Sequence, residues 1–545
     1  MTKYSLYVIL SLLFISCNAI QNVDLIVFNG KIYTIDDQFS VVESMAIKNG
    51  KIVALGKYED ISKMYYPTQK YDAKGNAIFP GFIDAHCHFT GYGLDLYKLN
   101  LIGTQSWQEI LDLTNQYAIK NTEGWIYGRG WDQNDWENKN FPDNSMLDSL
   151  FPNRPVFIKR IDGHAVIANS KALSLANINL NSKVDGGEIE IKNGKLTGVL
   201  IDNAFKLIEN IIPKLSKELS IKYLAQAADS CFKYGLTTVV DCGVEDQIIQ
   251  YLDDAQKNNL VKMRVVALLS DTSINYQKYL KSGPFKNNFL NINGFKFYSD
   301  GALGSRGACL SDDYSDMEHH KGFMLRSKYY FDSIINILRN SKFQVCTHAI
   351  GDSANRVILN TYSKYLGKNN DRRWRIEHAQ VVHPEDVSMF GAFHIIPSVQ
   401  PTHATSDMYW ASDRLGTKRL KSAYIYKELL NQNGWMPLGT DFPVEYINPL
   451  FTFYSAVARK DGNNFPENGF QIENALTRIE AIKGMTIWAA KGSFEEHEKG
   501  SLEIGKYADF VILNADIMTI PINETRNAKV LSTWVDGKPV FQIKN

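Results

Sequence analysis

Between residues 78 and 499, short apolar runs alternate with amphipathic stretches whose apolar residues recur at helical spacing. Phe79–His88, Leu236–Asp241, Met263–Leu268, Gly294–Phe297, Phe343–Thr347, Trp374–Glu377, His394–Val399 and Trp435–Leu438 read as eight buried strands. Ser220–Tyr234 and Ala354–Leu366, each followed by a glycine, read as helices between them. A last helix is expected from Thr477, whose hydroxyl can cap it while Glu480 reaches back. The alternation predicts an α/β fold, a (β/α)8 TIM-like barrel over 78–499.

The two ends follow a different rhythm. Alternating apolar positions flank Asn-Gly pairs at Asn29-Gly30 and Asn49-Gly50, and the C-terminus repeats the style around Asp536-Gly537. Each pair predicts a hairpin, because a type I′ turn needs positive φ at both central residues. Residues 23–77 and 500–545 are therefore expected to build one small composite β-sandwich. Residues 92–213 are far too long for one crossover after the first strand. They predict an inserted subdomain, with its own Asn193-Gly194 hairpin, emerging over the face where barrel enzymes keep their sites.

Composition narrows the function classes. The 545 residues are 44% hydrophobic and 22% charged with a formal net charge of zero, so a nucleic-acid partner held by phosphate electrostatics is not expected. The expected partner is a small-molecule substrate, and homo-oligomerisation stays open. At the N-terminus, Lys3 precedes an apolar run from Leu6 to Ile15, too short to span a bilayer but suited to a signal-peptide core. It ends in Ser16-Cys17, a small residue before cysteine that resembles the lipobox of bacterial lipoproteins, with Phe14 in place of the usual leucine. Residues 1–17 are thus expected to be a leader, with Cys17 lipidated and the protein exported and anchored to a bacterial membrane, facing the periplasm or exterior. An ordinary secretory signal is the competing reading. The other five cysteines show no CxxC spacing and imply no disulfide framework.

The chemistry sits at the strand ends. In Phe82-Ile83-Asp84-Ala85-His86-Cys87-His88, residues two apart on a strand face the same way, so His86 and His88 can aim at one point. Alone, such a pair reads more readily as two hydrogen-bonded core histidines. Lys296 lies in strand four, His348 ends strand five, His378 ends strand six and Asp441 ends strand eight, and together they shift the reading to metal ligation. Neutral imidazoles and carboxylates suit zinc-like cations, whereas a lysine must first lose its charge.

These motifs resemble the amidohydrolase superfamily, and within it amidohydrolase family 3, which includes N-substituted formamide deformylase-like proteins. The resemblance runs from about Val23 to the C-terminus, through Pro80–His88, Phe297–Arg306, Thr347–Asp352, Arg375–Ala379 and Gly439–Val444. It implies that His86 and His88 bind one divalent metal and that His348 and His378 bind a second. It further implies two Zn2+ per chain bridged by a CO2-derived carbamate on Lys296, with Asp441 contacting the first metal and acting as the catalytic proton carrier.

Further candidates for substrate contact are His403 at the end of strand seven, Trp131 in an aromatic-rich run, His164 and Arg306. A surface histidine and internal packing of the insertion are competing readings for His403 and for Trp131 and His164. Gly301–Gly307 lacks the Gly-Lys-Ser/Thr ending of a P-loop and reads as a tight loop for close substrate approach. Asp84 is placed to orient the metal site from behind. The expected function is metal-dependent hydrolysis of a carbon-nitrogen bond, most simply a non-peptide amide. A hydrolytic deaminase is the runner-up, although Gly351 stands where related deaminases carry glutamate; a non-catalytic metal- or solute-binding lipoprotein is the reading from another class.

Overall fold

A computed structural model describes residues 20–543; the expected leader, residues 1–17, and the expected lipidation at Cys17 lie outside the described residues. Seven parallel strands form most of a barrel: Phe82–Cys87, Leu236–Val244, Arg264–Ser270, Leu290–Tyr298, Gln344–Ala349, Arg375–His378 and Ile396–Ser398. Their apolar residues are buried almost throughout, as strands covered on both faces require. Register sets the strand ends level, pairing Ser270 with Lys296, Tyr298 with His348, and Ala349 with His378.

The eighth stave is not a laddered strand as the apolar run Trp435–Leu438 suggests. It pairs with strand seven only through Val399 and Leu438, then crosses to strand one, where Ala85 N–H donates to Leu438 O (3.2 Å) and Asp441 N–H to His86 O (2.8 Å). The approach at Gly439 is the physical reason: a Cβ there would stand 2.5 Å from His86 N. Only glycine lets the chain pass so near strand one, and this passage delivers Asp441 to the site. The expected last helix forms as Arg478–Gly484, with a complete Thr477–Glu480 capping box.

The termini form two sheets. One contains Lys51–Gly56, Ser44–Lys48, Gln21–Phe28 and Tyr65–Asp72; the other joins Lys538–Gln542, Val530–Val535 and Phe510–Leu513 to Ala77–Pro80, Lys31–Tyr33 and Val41–Val42. One apolar core draws on both, including Leu25, Met45, Ile78, Phe510 and Trp534. Asn49-Gly50, Asn193-Gly194 and Asp536-Gly537 close hairpins with positive φ at both residues. Asn29-Gly30 does not: only Asn29 is left-handed, and the turn carries the chain from one sheet to the other.

The insertion has a sheet of its own, ordered Gly187–Lys192, Lys195–Asp202, Ala165–Ala168, Val156–Arg160, Ile126–Trp131 and Leu99–Asn100. Alternate residues feed separate cores on its two faces, Ile158 with Trp131 on one and Phe157 with Leu200 on the other. Among the described residues no helix is long and apolar enough to cross a membrane.

Candidate metal centre

At the C-terminal ends of the barrel strands five histidines, His86, His88, His348, His378 and His403, gather around Asp441. His88 Nε2 lies 3.2 Å and His86 Nε2 3.5 Å from Asp441 Oδ1, while His403 Nε2 lies 3.5 Å from Asp441 Oδ2. Two groups have converging ligand atoms: His86, His88 and Asp441, and His378, His403 and Asp441. Lys296 Nζ is 3.4 Å from His86 Nε2 and fully buried, with no carboxylate within ion-pairing distance among the described residues.

Hydrogen bonds fix which nitrogen each ring offers. His86 Nδ1 lies 2.6 Å from Glu377 Oε2, His88 Nδ1 3.0 Å from Cys242 O, and His378 Nδ1 2.7 Å from Gln400 Oε1. Each arrangement leaves Nε2 for the cluster, the usual way a protein orients metal-binding imidazoles. Asp84 holds the frame: Oδ1 accepts from His86 N–H (3.1 Å) and Thr440 N–H (3.0 Å), and Oδ2 from the Thr440 hydroxyl (2.7 Å). His378 and Asp441 both adopt left-handed backbone, with φ of 73° and 64°. Such strain in non-glycine residues persists where the surroundings over-determine it, often at functional sites.

The electrostatics suit ligation. Burial, reinforced by Lys296, pushes the His86 imidazole down to about 4 despite Glu377. Burial likewise holds His348 and His378 well below the usual histidine range, as neutral donors. For Asp441, burial acts upward, but the surrounding histidines outweigh it and keep the carboxyl well below its ordinary value. Asp441 Oδ1 and His403 Nε2 are both buried without a hydrogen-bond partner. An orphaned carboxylate oxygen beside an orphaned imidazole nitrogen is an arrangement that a divalent cation would satisfy, so the residues fit such an ion.

The other expected residues divide. His348 reaches the cluster, its ring 4.6 Å from that of His378, but its Nε2 faces Gly301 O at 3.4 Å and it falls outside both converging groups. His403 lies in the helix Pro401–Asp407, just past strand seven, and is nearer the centre than a surface histidine would be. His164 enters from the insertion, its ring 5.2 Å from His348, with Nδ1 2.6 Å from Asp202 Oδ1. Burial acts to lower its pKa, and Asp202 outweighs that and raises it.

Trp131 is corrected. It is fully buried in the core of the insertion, packed on Trp136 and Phe141 with its indole N–H donating to Ile158 O at 3.0 Å, and it does not line the cavity. Arg306 is corrected too, because its guanidinium is engaged by Asp316 (2.8 Å) away from the cavity wall.

Above the cluster lies a cavity of about 260 Å³, walled by barrel loops and by the insertion through Asp132, Arg160, Asp162 and His164. Ala302, Leu303 and Gly304 of the glycine-rich loop also line it. Sequence reasoning missed Arg160, Glu377, Arg375 and Gln400. For the Arg375/Glu377 pair a signal existed: two charges two apart on a strand must share one face, here the barrel interior.

A barrel that gathers neutral imidazoles, a buried lysine and a carboxylate at one mouth defines a metal-dependent hydrolase architecture. Residues 69–541 match the model of the Amidohydrolase family, and the chain belongs to that family. It is 32% identical over 537 residues to Protein LONG AFTER FAR-RED 3 of Arabidopsis thaliana, covering 95% of this chain and 91% of the relative. It is 24% identical to the N-substituted formamide deformylase of Arthrobacter pascens, covering 94% and 97%. The crystal structure of an uncharacterized metal-dependent hydrolase from Pyrococcus horikoshii superposes with a TM-score of 0.74 at 27% identity, over 91% of this chain and 99% of that one. The protein is a metal-dependent hydrolase of the amidohydrolase superfamily.

Proposed function

We propose that the protein hydrolyses a carbon-nitrogen bond of a small acylated amine, releasing a carboxylic acid and an amine. The observation that carries this reading is Asp441, whose unpartnered Oδ1 faces His86 and His88 while Oδ2 faces His403 at the floor of the cavity. His86, His88, His378, His403 and Asp441 would hold divalent metal, two zinc ions in this reading, with His348 adjoining and Lys296 as a bridging carbamate. Bound there, the metal supplies Lewis acidity, which makes water nucleophilic at neutral pH and polarises the substrate carbonyl. Asp441 accepts the proton of the attacking water and returns it to the leaving nitrogen as the carbon-nitrogen bond breaks. His164, held by Asp202, can donate a hydrogen bond to the acyl group from the opposite wall.

The printed activity of the Arthrobacter pascens relative supports an amide-type bond. Deamination is disfavoured on geometry, because a Cβ at position 351 would stand 2.0 Å from Cys309 O and no glutamate fits there. The test is amine release from a panel of N-formyl and N-acetyl amines by metal-loaded protein. Turnover that disappears on chelation and returns with metal supports the reading; no amine release from any member by fully loaded protein refutes it.

A further inference from the structure

Away from the metal centre, the cavity is short of lysine and arginine. Arg160 is the one lysine or arginine that lines it among the described residues, and that guanidinium is already held between Asp132 and Asp162. Three more carboxylates line the cavity, Asp135, Asp407 and Glu445, and none lies within ion-pairing distance of a lysine or arginine among the described residues. Their hydrogen-bond donors are uncharged: Asp407 Oδ2 accepts from the Tyr424 hydroxyl (2.8 Å) and Gln380 Nε2 (3.1 Å), and Glu445 Oε1 from the Ser406 hydroxyl (2.6 Å). Glu445 and Asp407 each retain a second oxygen, and Asp135 accepts no side-chain hydrogen bond. Burial pushes the Asp407 carboxyl up to about 7 and raises Glu445, while Asp135 is the exposed member of the three.

The cavity joins this wall to the metal centre. His403, already a candidate metal ligand, lines it close to Asp441 on one side and within electrostatic reach of Asp407 and Glu445 on the other. A molecule bound against His403 therefore extends from the metal centre toward the carboxylates. Tyr446 adds an aromatic ring to this wall, a surface that also favours cations.

We propose that this wall binds a positively charged group, an ammonium or guanidinium, so that the preferred substrates are acylated amines bearing a second, protonated nitrogen. The scissile bond rests on the reading above; selection for the cation does not. The test is calorimetric binding, at low ionic strength, of three probes of matched length: N-acetylputrescine, the neutral N-butylacetamide and the anionic N-acetyl-γ-aminobutyrate. The wild type is expected to bind the cation about tenfold or more tightly than the neutral probe, with the anion weakest. Asp135→Asn combined with Glu445→Gln is expected to bring the cation/neutral ratio close to one, and added salt to shrink it in the wild type. Equal affinity for the cationic and neutral probes, or a preference unchanged in the double variant, would overturn the proposal. Retained cation preference without turnover of any probe would count against the hydrolase reading and leave the binding wall standing.

Discussion

Glu377 Oε2 stands 2.6 Å from His86 Nδ1, and its other oxygen stands 2.8 Å from Arg375 Nε, all three side chains being fully buried. A guanidinium, a carboxylate and an imidazole thus form one chain inside the barrel, ending on a candidate metal ligand. Burial pushes the Glu377 carboxyl up, but Arg375 and His86 outweigh it and hold it down at about 2. The carboxylate stays charged, fixes the His86 tautomer and points Nε2 at the cluster.

Glu377→Gln is therefore expected to lower metal affinity about 10- to 100-fold. It also leaves Arg375 buried without its carboxylate, at a cost of about 3–5 kcal/mol. Adding Arg375→Met should recover much of the melting temperature without recovering metal affinity. A double variant with wild-type affinity, measured by competition with a chelator, would show that Glu377 does not set His86.

Asp441→Asn preserves size and leaves the contact of Asp441 N–H with His86 O (2.8 Å) available. The fold is expected to survive while kcat falls about 10²- to 10⁴-fold, the range for loss of a proton carrier. An unchanged kcat on an acylated amine would assign the proton transfer to another residue.

Trp131→Ala is expected to act on stability rather than selectivity. Removing a fully buried tryptophan from the insertion core costs about 3–5 kcal/mol. The melting temperature should fall while the order of kcat/KM across substrates is kept. A reordered preference with unchanged melting temperature would return Trp131 to the cavity wall.

The barrel and most of the cluster were legible because strand periodicity and register do the placing. Once His86, His348 and His378 are at strand ends, parallel pairing brings them together without further information. Trp131 was not legible, since a strand offers two faces and only the pairing of Ile126–Trp131 with Val156–Arg160 decides which one packs inward. Asn29-Gly30 misled for a related reason: the turn chemistry is that of a hairpin, but Phe28 and Lys31 are claimed by different neighbours. The acidic wall assembles from three distant segments, at Asp135, Asp407 and Glu445, so no local pattern announces it.

The leader expected over residues 1–17 supplies a test independent of the site. If Cys17 is lipidated, Cys17→Ser should release soluble or unprocessed protein from the membrane fraction. Recovery of the wild type from the cytoplasm without detergent would contradict that expectation.

Elemental analysis of the purified wild type beside Lys296→Ala tests the metal centre most directly. The expected result is two divalent cations per wild-type chain, with loss of at least one in the folded variant, because the proposed carbamate at Lys296 could no longer form. A folded wild type that takes up no metal, or a Lys296→Ala variant that keeps both ions and full turnover, would contradict it.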